Sequence, residues 1–333
     1  MISVQAAEPV RIVQVPYDSE RLTLDAVPPI WDKGYLVGYS RGYSYGDSPR
    51  IWMYDRRGQP LISGVRLSFP ETIKVIVHSL AVTGDGKVLI SAEAWSSQSQ
   101  FATVLCEMKP PGVIESVVSN ESFAAESMVV RPDGTVWALG NDPSRIWTAG
   151  ADYSLLERYD RSGVLIGRHL PRSEFCSNDP VVASEHGYGS ITSSADRVGL
   201  YLAGAETWVE FDASGRLLDQ FHLAAPPLLG PNAAPGKSLS AVRPIVMTAS
   251  DRVYGVFTTT GGIRPDRSTG AGLYQLDRKL QRWVRVPPEL DRDPAFGLVY
   301  GADGDEIIAR SGCCRYGWFS VPDVVHSATA AAR

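Results

Sequence analysis

The strongest constraint on this chain is a repeat. Alternating apolar residues, an Asp-containing tight turn and a second alternating stretch recur at LAVTGDGKVLIS (80–91), MVVRPDGTVWALG (128–140), ITSSADRVGLYLAG (191–204), IVMTASDRVYGVF (245–257) and LVYGADGDEIIAR (298–310). A poorer copy, PPIWDKGYLVGY (28–39), precedes them. Asp-Gly and its relatives reach the positive φ angles that two-residue hairpin turns need, and period-two alternation marks strands with one buried face. Each copy therefore reads as an antiparallel hairpin. A second type places an Asp-x-x-Gly turn between strands, at WMYDRRGQPLI (52–62), LERYDRSGVLIG (156–167) and VEFDASGRLLDQF (209–221), with weaker forms at LCEMKPPGVIESV (105–117) and YQLDRKLQRWVRV (274–286). Asp at the first and Gly at the fourth position suit a type I turn.

The two hairpin types alternate along the chain. Turn Asp residues of the first type stand at 32, 85, 133, 196, 251 and 303, in steps of 53, 48, 63, 55 and 52 residues. Two hairpins per step make a four-stranded unit of the size of a β-propeller blade. The expected fold is all-β: a six-bladed propeller of four-stranded antiparallel blades, filling residues 10–325 as a single domain. Residues 1–9 are expected to be a disordered N-terminus or signal-peptide remnant, and 326–333 a flexible tail. The last unit lacks a fourth strand, while VRIVQVPY (10–17) is a strand without a unit. Adding this N-terminal strand to the last blade removes both unpaired edges.

The units resemble those of six-bladed propellers of the NHL, SMP-30/gluconolactonase and TolB-like kind, with RPDGTVWALG (131–140) the best copy of a family-style repeat. In the SMP-30-like families acidic and amide side chains hold a metal at the channel mouth, which implies Glu126 as the residue most like a ligand. The amide ligands have no counterpart, because Asn141 and Asn178 fall in loops. The resemblance implies a divalent metal, Ca or Zn, and a metal-dependent lactonase or ester hydrolase. Some quinone-cofactor propellers carry a bridge between adjacent cysteines, but the rest of their signature is missing here.

Counting seven residues back from each turn Asp gives Asp25, His78 and Glu126 in the first three units. Carboxylates with an imidazole are acid–base or metal-ligand chemistry, so these three are the candidate catalytic and metal residues. His186, Arg243 and Asp293 lie near the corresponding places in later units. Long connections all leave the opposite end of the blades from the tight turns, and long loops on a rigid scaffold are where binding resides. Tyr43, Trp95, Trp147, Arg264 and Arg315 in those connections, with His186, Arg243 and Asp293, make the expected binding face, because rings and guanidinium groups dominate recognition surfaces. Arg-rich loops also suit acidic sugars or carboxylates. Cys313 and Cys314 are candidates for a vicinal disulfide.

Composition narrows the partners. Basic residues number 32, of which 26 are Arg, against 37 acids, for a net charge of −5, so the bulk charge carries no nucleic-acid footprint. No apolar run approaches the roughly 18 residues of a membrane span. The small-residue stretch Val4-Gln5-Ala6-Ala7 resembles the end of a signal-peptide cleavage site and leans toward a secreted or periplasmic protein. The favoured function is binding of a protein, peptide, glycan or small-molecule ligand by a monomer, and the alternative is the metal-dependent hydrolase.

Overall fold

A computed structural model describes residues 11–14, 29–40, 48–97, 100–119, 123–145, 148, 151–175, 189–230, 237–259, 269–287, 299–310, 315–321 and 323–325. The strands are β1 (Arg11–Gln14), β2 (Ile30–Asp32), β3 (Tyr35–Tyr39), β4 (Arg50–Tyr54), β5 (Pro60–Arg66), β6 (Lys74–Val82), β7 (Val88–Trp95), β8 (Phe101–Lys109), β9 (Val113–Ser119), β10 (Ala124–Val130), β11 (Val136–Asn141), β12 (Ser154–Tyr159) and β13 (Leu165–Pro171). They continue as β14 (Gly189–Ser193), β15 (Arg197–Leu202), β16 (Thr207–Asp212), β17 (Leu217–His222), β18 (Ser240–Met247), β19 (Val253–Thr258), β20 (Gly272–Asp277), β21 (Arg282–Arg285), β22 (Val299–Asp303), β23 (Glu306–Arg310) and β24 (Arg315–Ser320). A single turn of helix, α1 (Arg172–Phe175), follows β13. The fold is a six-bladed β-propeller of four-stranded antiparallel blades.

The chain divides into two compact units, one of residues 15–191 and one of residues 1–14 with 192–333. In the first, consecutive strands make the sheets β2-β3-β4-β5, β6-β7-β8-β9 and β10-β11-β12-β13. In the second lie β18-β19-β20-β21 and β1-β24-β23-β22. The sheet β14-β15-β16-β17 starts at the division. Pairing of Arg11 with Trp318 and Val13 with Tyr316 supplies the last blade with its fourth strand from the N-terminal side, as the unpaired strand in the sequence required.

Turn chemistry sets the blade rhythm. Gly86, Gly134 and Gly304 take φ of 80°, 85° and 62° in the first-type turns. In the second type a single Asp oxygen collects two backbone amides, as Asp160 Oδ1 does from Ser162 and Val164 at 2.8 and 2.9 Å. Asp212 does the same from Ser214 and Arg216 at 2.9 and 3.0 Å. Both carboxyls are held below the ordinary Asp range, first by the hydroxyl of the neighbouring serine. Beside these turns the outer strand carries one extra residue in the first four blades, at Met53/Tyr54, Glu107/Met108, Arg158/Tyr159 and Glu210/Phe211.

Blades pack face on face. Val77, Leu80, Val82 and Ile90 of the second blade meet Val37, Ile51 and Met53 of the first, and its other face puts Ala81 and Leu89 against Met128 and Val136 of the third. Burial on both faces explains the near-continuous apolar pattern of the second strands. Trp137 and Trp208, inside strands, are fully buried packing residues, and Cys106 is a small core residue whose thiol is pushed up to about 12, chiefly by burial.

A charge inside such packing must be paired. Glu210 on β16, with no exposed surface, accepts from Arg197 Nη1 at 2.9 Å, Trp208 Nε1 at 2.8 Å and Arg278 Nε. Arg278 also donates to the Asp251 carbonyl at 2.7 Å, so one carboxylate fastens the fourth blade to the fifth. Glu210→Gln should destabilise the protein by about 3–5 kcal/mol, the usual loss when one side of a buried ion pair is removed. Urea unfolding checks this, and a loss below about 1 kcal/mol would mean that the arginines reach water instead.

Candidate functional site

Register, more than residue type, builds the site. Along β6 and β7, Val77 pairs with Ala92 and Ser79 with Ser91, so His78 is the extra residue of a β-bulge. Along β10 and β11, Ala125 pairs with Gly140 and Ser127 with Leu139, which makes Glu126 the extra residue of a second bulge. A bulge kinks its strand and re-aims a side chain. Gly140 is required here, because a Cβ on it would stand 1.9 Å from the Ala124 carbonyl oxygen. In the fifth blade the irregularity spans Arg243, Pro244 and Ile245, between Val242 and Val246.

The two bulges, in adjacent blades, bring His78 and Glu126 together. His78 Nδ1 lies 3.1 Å from Glu126 Oε1, and Nε2 lies 3.1 Å from Glu93 Oε1 on β7. The Nε2 contact is an ion pair without the alignment of a directed hydrogen bond. Glu93 also accepts from Trp95 Nε1 at 3.1 Å, and the Trp95 ring stacks on Phe101 with centroids 4.7 Å apart. The side chains of His78, Glu93 and Glu126 keep 16%, 14% and 16% of their surface exposed, so the triad is shielded from bulk water yet reachable.

Its electrostatics follow from this geometry. Burial by itself lowers the His78 pKa, but the paired carboxylates of Glu126 and then Glu93 outweigh it and raise the pKa from 6.5 to about 9. At neutral pH the ring is an imidazolium with a proton on each nitrogen. Such a ring offers no lone pair as it stands, so a metal ion here would have to displace one of the ring protons. Among the described residues no group of three His, Cys, Asp or Glu is arranged to hold a metal.

The other expected site residues separate into three groups. Asp25, Tyr43, Trp147, His186, Arg264, Asp293, Cys313 and Cys314 lie outside the described residues. Arg243 is placed on β18 by its backbone, at the irregularity of that strand. Arg315 opens β24 as an exposed residue opposite Gln14, and Trp95 closes β7 beside the triad. His78 and Glu126 were expected at strand starts, but β6 begins at Lys74 and β10 at Ala124, since pairing with the long β7 and β11 extends both strands past the bulge. Glu93 was missed. Its signal was a lone charge in the apolar run VLISAEAW (88–95), two residues before a tryptophan.

No family model matches the chain, and no curated protein matches it. Solved structures with some likeness include a streptogramin B lyase, 12% identical with a TM-score of 0.41 over 94% of this chain and 98% of that one. A luciferin-regenerating enzyme is 11% identical, with a TM-score of 0.49 over 95% and 96% of the two chains. A protein of unknown function from Bacteroides caccae is 13% identical, with a TM-score of 0.44 over 83% and 84%. Likeness at this level assigns no role to any residue.

The sign of the His78 shift fixes a pH dependence. A folded-state pKa raised above 6.5 stabilises the protein fully below that pH, and the contribution disappears as pH rises through about 9. Unfolding free energy should fall by up to about 3 kcal/mol between pH 6 and pH 10, and this component should vanish in His78→Gln. Urea titrations of both proteins at matched ionic strength measure it, and parallel profiles would refute the pairing.

Proposed function

We propose that this chain is a ligand-binding propeller whose recognition site is built on His78, Glu93 and Glu126. One observation carries the reading: bulges in two adjacent blades aim an imidazolium and a carboxylate at each other while leaving them partly open. Interior bulges give up ladder hydrogen bonds, and they occur where a strand re-aims a side chain at a functional site.

The triad's chemistry narrows the ligand. Two carboxylates against one imidazolium leave a net charge of −1, with the ring already paired with both glutamates. What remains for a ligand is acceptor capacity on carboxylate oxygens, with the Trp95 ring alongside. Ligands that present hydrogen-bond donors fit, such as the hydroxyls of a neutral glycan or the amine of a peptide or small molecule. Ligand carboxylates do not suit this position, whatever the arginines of the long connections attract.

The metal-dependent lactonase reading would use Asp25, His78 and Glu126 around a calcium or zinc ion. It would require that His78 surrender a proton and one carboxylate partner, and no observation among the described residues favours that exchange. We therefore place binding first.

Screening neutral glycans, amine-bearing peptides and acidic sugars by thermal shift, followed by calorimetry on the hits, tests the proposal. Neutral or amine-bearing ligands should bind, and Glu93→Gln should weaken them about tenfold, the equivalent of one good hydrogen bond. Hits confined to acidic sugars, or hits unaffected by Glu93→Gln, would overturn it. Elemental analysis after dialysis against calcium or zinc covers the alternative: one ion retained per chain and lost in Glu126→Ala would move the assignment to the hydrolase.

A further inference from the structure

A bulge leaves backbone carbonyls without their ladder partners, and buried carbonyls need replacements. Both bulges of the triad receive one from a side-chain hydroxyl on the preceding blade. Tyr39 Oη, on β3, donates to the His78 carbonyl at 2.7 Å. Ser79 Oγ, on β6, donates to the Ala125 carbonyl at 2.6 Å, next to Glu126. Tyr39 and Ser79 are both buried, each with 6% of its surface exposed, and in these bonds their hydroxyls go to backbone carbonyls, not to the imidazole or the carboxylates.

We infer that Tyr39 and Ser79 are positioning residues of the site: their hydroxyls hold the carbonyls of the two bulges and so set the distance between His78 and Glu126. The two bonds act in sequence. Tyr39 of the first blade fixes the bulge of the second, and Ser79, the residue after that bulge, fixes the bulge of the third. The same place in the third blade is occupied by Ser127, whose Oγ accepts from the Ile191 amide at 3.3 Å. A serine directly after the residue seven before the turn Asp recurs as His78-Ser79, Glu126-Ser127 and Gly189-Ser190, and in the first two of these it makes an inter-blade contact. Only in the second and third blades does the residue before it carry a titratable group.

This inference rests on the proposed binding role only for its effect on affinity, and its spectroscopic test stands without a ligand. The ring N–H resonances of His78, assigned against His78→Gln in nitrogen-15-labelled protein, report the geometry between the imidazolium and its carboxylates. Tyr39→Phe and Ser79→Ala should each shift or broaden these resonances, whereas Ser79→Thr, which keeps the hydroxyl, should restore the native position. Thr192→Val is the control: it removes another buried inter-blade hydroxyl, the acceptor for the Met247 amide at 2.8 Å, and should lower stability with no change at His78. Once a ligand is in hand, Tyr39→Phe and Ser79→Ala should weaken it at least threefold. Unmoved His78 resonances in both variants would overturn the positioning role even if binding at the triad stands. Moved resonances with unchanged affinity would uphold the positioning role and count against the triad as the binding site.

Discussion

Burial of a blade on both faces, as the second blade is buried between the first and the third, is the condition under which everything else in this structure operates. A four-stranded sheet that packs neighbours on either side has no solvated face on which to place polar groups, so a charge within it is tolerated only with partners. Among the described residues, two such clusters differ instructively. At Glu210 one carboxylate with no exposed surface meets two guanidinium groups and an indole. At His78 one imidazolium meets two carboxylates, each keeping about one-seventh of its surface open. The first buries its carboxylate completely and is balanced in charge, since the Asp251 carboxylate also lies 3.4 Å from Arg197 Nε, as suits a structural clamp. The second is anion-rich and reachable, and a cluster with unspent acceptor capacity beside open surface has the composition of a recognition site.

Much of the fold was legible because turns carry their own chemistry. Asp-Gly and Asp-x-x-Gly appear in the sequence for the same reason they appear in the structure: positive φ and amide capture are needed at fixed points of each blade. Counting from those points located His78 and Glu126 before any coordinates, because a repeat keeps its register. Seven residues before the turn residue Asp251 stands Pro244, inside the irregularity of β18. What it could not reveal was the bulge itself, since an extra residue in one strand is defined only by the partner opposite. Gly140 was the local trace of it, a glycine inside an otherwise apolar strand, conspicuous only once the Ala124 carbonyl is seen to need the space.

The count by blade is incomplete at His78 for a related reason. Residue types at one end of several blades showed that imidazole and carboxylates converge, and that part holds for His78 and Glu126. Glu93, standing in the neighbouring strand instead of at a corresponding position of another blade, lay outside any count by blade, yet it reaches the second ring nitrogen and adds a second carboxylate to the cluster. Charge balance at a site depends on every group that reaches it, and a repeat-based reading sees only one from each repeat.

The backbone itself separates the clamp from the site. Between β15 and β16 the register runs unbroken from Arg197 opposite Asp212 to Leu202 opposite Thr207, so Glu210 and Arg197 face their partners with no disturbance of that ladder. That charge pair therefore needs no bulge between the inner strands; its one register shift lies toward the outer strand β17, where the first three blades carry one as well. The His78 cluster interrupts two ladders, excludes any side chain at position 140 and draws in hydroxyls from preceding blades to repair the carbonyls it frees. Stability alone would not select that arrangement over the simpler one found in the same chain. The added backbone distortion is explained if what matters is the direction in which His78 and Glu126 point, and direction matters to a ligand.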